Sequence, residues 1–194
     1  GVGVKKIKIL NNSNGIAFAQ IEEAQVIGIH INIDILSNLE KFGKKLGHSY
    51  PIGVILRPNI MGGGNLKIST CNDKSKFGIP VDRIDELLQI VEQNNIWLQG
   101  LHIHTGSDIT DVDVFAKGIE VLFEIISKFN ELEFIDLGGG FKVPYKDGDT
   151  ETDIELLAKK VKEEFANHPN PEGKPLQVWF EPGKFLVSAA GFVI

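Results

Sequence analysis

The 194-residue chain carries a single cysteine, Cys71, and that scarcity excludes an internal disulfide framework. It fits a reducing compartment, which makes cytoplasmic localisation the expectation. With one cysteine and only scattered histidines, a structural zinc site lacks its ligands. No uninterrupted apolar run approaches the ~20 residues needed to cross a bilayer. Lys5, Lys6 and Lys8 interleave with the first apolar residues, so the N-terminus does not read as a signal peptide. An excess of positive charge is missing too. Twenty Lys and Arg against 26 Asp and Glu leave a net charge of −6, which argues against nucleic acid or an anionic membrane as partner. What remains, 42% hydrophobic and 24% charged, is the balance of a soluble globular protein with enough chain for one core.

Strand-like and helix-like segments alternate along that chain. Strands are expected at 6–11, 29–33, 52–57, 97–104, 133–137 and 177–181, and helices at 17–27, 36–46, 80–93, 112–129 and 154–166. Ser37 or Asp34 is the expected cap of the second helix, and Pro80 the first residue of the third. Six strands with five helices between them predict a parallel sheet, either open or closed as a barrel. Asp34, Arg57, His104, Gly138 and Glu181 all stand at strand ends. A barrel draws its site from many strand ends, whereas an open sheet uses one switch point, so the α/β class expected is a (β/α)8 TIM barrel. Since a barrel needs eight strands, the chain reads as a segment of a longer protein.

Three motifs follow strands and end in glycine with polar residues. In Gly100–Ser107, alternation puts His102 and His104 on one face. They read as a metal pair, as a satisfied core pair, or as a cofactor site in which His104 lies on a ring and Ser107 meets its phosphate. Gly138, Gly139 and Gly140 form either a nest of backbone N–H groups for an anion or a tight turn. Glu181, followed by Pro182, Gly183 and Lys184, is a general base, a metal ligand, the partner of a protonated ring nitrogen, or part of a solvated turn. Phosphate sites in barrels often use the loops after the last two strands, which suits these last two motifs. Gly62–Gly64 reads as a flexible loop and Ser75–Gly78 as a loop-to-helix junction. His30, His48 and His168 read as structural or surface residues, and Lys41, Lys44 and Lys45 as a solvated helix face.

Together, Ile31–Asp34 with Leu36–Leu39, Ser75–Ile79, Gly100–Ile109, Ile135–Tyr145 and Phe180–Val187 resemble the diaminopimelate decarboxylases, a group of alanine-racemase-like, pyridoxal-phosphate-dependent decarboxylases. The resemblance implies that the six strands are the third to eighth of a barrel occupying residues 1–184. Residues 185–194 would then begin the connection to a C-terminal β domain. It implies pyridoxal 5′-phosphate as cofactor, with His104 on the ring and Glu181 at the ring nitrogen. Ser107, Gly138, Gly139, Gly140, Pro182, Gly183 and Lys184 would lie around the phosphate, with Arg57 and His102 behind them and no metal. It further implies a small diamino acid substrate, a homodimer with Lys76 near its interface, and lysine biosynthesis as the role.

Lys184 stands where the family usually has arginine, which keeps the charge and loses the bidentate fork for a substrate carboxylate. The family's Schiff-base lysine and C-terminal cysteine have no counterpart in the chain, so the chain alone is expected to be inactive. Decarboxylation of ornithine, arginine or carboxynorspermidine is the alternative within the family. A non-catalytic relative of the same fold is another.

Overall fold

A computed structural model describes residues 3–12, 14–58, 78–167 and 175–191. Gly62–Gly64, Cys71, Lys76 and His168 lie outside the described residues. The strands are β1 (Leu10–Asn11), β2 (His30–Ile33), β3 (Ile52–Arg57), β4 (Ile79–Pro80), β5 (Leu98–Ile103), β6 (Phe134–Asp136) and β7 (Gln177–Trp179). The helices are α1 (Phe18–Ile27), α2 (Leu36–Leu46), α3 (Ile84–Gln93), α4 (Asp113–Ile126), α5 (Ile154–Asn167) and α6 (Gly183–Val187).

All strand pairs are parallel, in the order β1-β2-β3-β5-β6-β7. Three expectations need correction. The expected strand at 6–11 is a 3-10 turn at Lys6–Lys8 with only Leu10–Asn11 paired. The expected helix at 80–93 starts four residues late, because Ile79 and Pro80 form the short strand β4 and Val81–Arg83 a 3-10 turn. Leu56 pairs with Ile103 of β5 and with Ile79 of β4, so β4 must occupy the other side of β3, beyond the end of β2. Proline suits that place, at the end of a two-residue edge strand that needs few donors. Finally, among the described residues no side chain caps α2: Ile35 holds the cap position, and Asp34 Oδ2 instead accepts from Gly15 N at 2.7 Å.

Strand alternation sorts the side chains into two layers. Ile31, Ile33, Val54, Leu56, Leu101, Ile103 and Ile135 point outward and share one apolar cluster with Leu39, Phe42, Leu87, Ile119 and Leu122 of the helices. The intervening residues point inward, in registers that join Asn32 to Gly53, Gly53 to Gly100, Gly100 to Phe134, and His102 to Asp136. A flat sheet would keep β2 far from β6 and β7. Yet the His30 ring meets Trp179 at 5.3 Å and Phe134 at 6.4 Å, so the sheet curls into a half-barrel. Gly100 makes room for this interior floor, since a Cβ there would sit 2.0 Å from the Phe134 ring.

The outward layer carries most of the apolar burial. Phe115 on α4 is 1% exposed and its ring meets Phe141 at 5.3 Å. Phe115→Ala is expected to cost about 3–5 kcal/mol of unfolding free energy, read from urea denaturation. Among the described residues no helix is long and apolar enough to cross a membrane.

Candidate functional site

The carboxyl ends of β5, β6 and β7 and the residue after β1 meet inside the half-barrel. Asp136 ends β6 because its own side chain turns the backbone: Oδ1 accepts from Gly138 N at 2.9 Å, two residues on. Gly138 takes a left-handed φ of 68°, and a Cβ there would lie 2.8 Å from Ile103 O and 3.0 Å from His104 Nδ1. The ladder then continues past β7, with Glu181 N donating to Gly138 O at 2.8 Å. Gly139 passes so close to this strand that its Cβ would sit 2.2 Å from Glu181 O. Ile109 N donates to Gly140 O at 2.9 Å, drawing the 105–109 loop onto the glycines. His104, Ser107, Gly138–Gly140 and Glu181 are therefore brought together.

Beneath these loops lies a polar cluster. His102 and Asp136 are 2% and 0% exposed, and His102 Nδ1 lies 3.2 Å from Asp136 Oδ2. Asn12 Nδ2 donates to Glu181 Oε1 at 2.9 Å and lies 3.2 Å from His102 Nε2. Asn32 Nδ2 donates to Asn12 Oδ1 at 3.3 Å. His102, Asp136 and Glu181 place one ligand-type atom each within 4.8 Å of one another, a grouping three separate strands assemble. A cleft of about 340 Å³ between β1 and β7 opens onto Asp136 and Glu181.

Charge in this cluster is unbalanced. Burial, then the Asp136 carboxylate, push the Glu181 carboxyl above its ordinary value. Burial and the neighbouring His102 lower His104 below its ordinary 6.5, which favours a neutral imidazole at neutral pH. A group facing Glu181 is thus favoured if it brings a positive or protonated atom, and a ring lying on His104 meets no charge of its own sign.

The depressed His104 value has a pH consequence. The unfolded chain binds the proton more readily, so the stability attached to a neutral His104 is present above the ordinary 6.5 and is lost as pH falls below it. His104→Gln is expected to flatten that part of the stability–pH curve, measured by urea titrations across pH 5 to 7.

Lys184 sits on the rim rather than over the cluster. It pairs with Asp108, and its Nζ donates to Tyr145 Oη at 2.9 Å, while Tyr145 Oη donates to Asp108 Oδ1 at 3.1 Å. The Lys184 ammonium holds the Asp108 carboxyl below its ordinary value. Gly183 N donates to Glu181 O at 2.9 Å, making the turn into α6, with Pro182 at the cap position of that helix. Ser107 is exposed. Arg57 continues the inward row of β3 one step beyond the Leu56–Ile103 pair, where His104 continues that of β5. Spacing alone does not mark Asn12, Asn32, Asp136, Asp108 or Tyr145. A polar residue inside an apolar strand, as in Ile31-Asn32-Ile33, is the signal that marks the first of these kinds.

The sequence profile of the family described as "Pyridoxal-dependent decarboxylase, pyridoxal binding domain" matches residues 1–188. The chain belongs to this family. Among curated relatives of this pyridoxal-binding domain, the diaminopimelate decarboxylase of Archaeoglobus fulgidus is 29% identical over 193 residues, covering 95% of this chain and 46% of that protein. A crystal structure of a diaminopimelate decarboxylase superposes with a TM-score of 0.77 at 25% identity, covering 93% of this chain and 42% of the other. The M. jannaschii diaminopimelate decarboxylase in complex with L-lysine superposes with a TM-score of 0.76 at 25% identity, covering 93% and 44%. The chain thus spans under half the length of the relatives it matches. The (β/α)8 barrel expected for this pyridoxal-binding domain agrees with these neighbours, of which the half-barrel is one part.

Proposed function

We propose that this chain is the central part of the barrel of a diaminopimelate decarboxylase, which converts meso-2,6-diaminopimelate to L-lysine and carbon dioxide. The observation that carries the reading is the convergence of His104, the 138–140 loop and Glu181 around one buried polar cluster. The donor set suits pyridoxal phosphate: an acceptor carboxylate in negative surroundings for a protonated ring nitrogen, a neutral imidazole, and glycine loops open to a phosphate. A cytoplasmic homodimer, with residues 185–194 leading to a second domain, completes the proposal.

When bound, the pyridinium ring supplies an electron sink for the electron pair left as carbon dioxide departs. The chain's own residues do the rest. Glu181 holds the proton at the ring nitrogen, aided by the negative potential of Asp136. His104 covers one ring face and keeps water from it. The loops at Ser107 and Gly138–Gly140, with the Pro182–Gly183 turn, hold the phosphate. Lys184 would meet a substrate carboxylate, with Asp108 and Tyr145 competing for its ammonium. Arg57 and His102 support His104 and Glu181 from behind.

The test is carbon dioxide release by the full-length protein loaded with pyridoxal phosphate. Diaminopimelate is the expected substrate, and release from ornithine, arginine or carboxynorspermidine in its place would overturn the assignment. No release from any of these diamino acids would point to a non-catalytic relative. The 194-residue chain by itself is expected to release none.

A further inference from the structure

Two asparagines inside the half-barrel have no part in the proposed chemistry, and their geometry gives them one. We infer that Asn12 is a positioning residue, which fixes the Glu181 carboxylate for the cofactor ring nitrogen and is itself fixed by Asn32. The inference rests on the reading that Glu181 meets that nitrogen.

An amide side chain has two different ends, and only one of them helps a carboxylate. Asn32 settles which end of Asn12 faces Glu181. Its Nδ2 donates to Asn12 Oδ1 at 3.3 Å, so the Asn12 NH2 group is turned to Glu181 Oε1 at 2.9 Å. Asn32 is held in turn. It is 2% exposed, and its Oδ1 packs against the backbone of β3, where a Cβ on Gly53 would stand 2.0 Å away. The relay therefore runs from β2, through the residue after β1, to the end of β7.

What Glu181 would do without this donor follows from its other neighbours. The adjacent Asp136 carboxylate favours a shared proton over two charges, and a protonated, uncharged Glu181 no longer compensates the charge of a protonated ring. A hydrogen bond from Asn12 to Oε1 stabilises the ionised form against that sharing. Asn12 also links the two edges of the half-barrel, which is a purely structural service, so the experiment has to separate the two.

The ligands for that experiment are pyridoxal phosphate and its analogue with C–H in place of the ring nitrogen. Both are titrated into the cofactor-free full-length protein and followed by ring absorbance. Asn12→Leu is expected to weaken pyridoxal phosphate about tenfold, the worth of one hydrogen bond to a charged group, and the analogue less than about twofold. Asn12→Ser, which cannot overpack the site, is expected to show the same split. Equal weakening of both ligands, or of neither, overturns the inference. Equal affinity of the unaltered protein for the two ligands overturns the underlying reading as well, because Glu181 would then not engage the ring nitrogen.

Discussion

Glu181→Gln in the full-length protein is expected to lower the turnover of diaminopimelate about a hundredfold or more, while pyridoxal phosphate still binds. Glutamine is nearly isosteric and can still accept a hydrogen bond, but it no longer compensates a ring-nitrogen proton. Steady-state carbon dioxide release beside a cofactor titration separates turnover from binding. Turnover within a few fold of the parent would remove Glu181 from the chemistry. The same substitution carries an opposite signature in the cofactor-free protein. Burial and Asp136 raise the folded-state value of Glu181 above its ordinary 4.5, so the folded state keeps the proton to higher pH than the unfolded chain does. The stability linked to that proton is present below the ordinary value and is lost as pH rises through the folded one. A residue that cannot ionise escapes the loss. Glu181→Gln is therefore expected to unfold at higher urea than the parent in neutral buffer when no cofactor is present. A lower midpoint would mean that the carboxylate serves the fold.

Gly140→Ala is the second large effect, about 3 kcal/mol of stability or more, measured by denaturant titration. Gly140 has a φ of 88°, and the new Cβ would lie 2.0 Å from Gly106 O and 2.9 Å from its carbonyl carbon. Both obstacles are backbone, so no side-chain rotation relieves them, and the two loops must part. Gly183 provides the contrast within the same proposed phosphate cradle. A Cβ there meets nothing within 4 Å, and Gly183→Ala is expected to stay within about 0.5 kcal/mol of the parent. Comparable losses in both variants would contradict the packing of the 138–140 loop on the 105–107 loop.

These contrasts show where a sequence reading reaches its limit. The strand at 52–57 and the helix at 36–46 match the structure at both ends, because a continuous apolar run and a helical apolar period leave little choice. The segment 6–11 alternates in sequence as a strand does, yet its backbone makes a 3-10 turn and only Leu10–Asn11 pair, a choice that alternation alone does not report. β4 was hidden by Pro80, which reads more naturally as the start of a helix than as the end of an edge strand. In the site, the strand-end motifs marked His104, Gly138–Gly140 and Glu181, and the structure brings them together. Asp136 lies inside one of those motifs, but its partner His102 arrives from another strand, and no local pattern marks that pairing. Asn12 and Glu181 are separated by 169 positions, and no local pattern reports such a contact.

By itself, then, the sequence determined the class of fold, the alternation of its main strands and helices, and the strand-end motifs that the structure brings together. Those properties depend on periodicity and on residue types at short spacing, which each segment expresses alone. The tertiary structure decided the charge and the neighbours of each group. It turned the inward faces of β2, β5, β6 and β7 toward a common interior, so that burial and Asp136 raise Glu181, burial and His102 lower His104, and Asn12 and Asn32 reach across the sheet. It also drew Lys184 to Asp108 at the rim. Electrostatic effects fall off with distance through space, and distance through space is set only when the sheet curls.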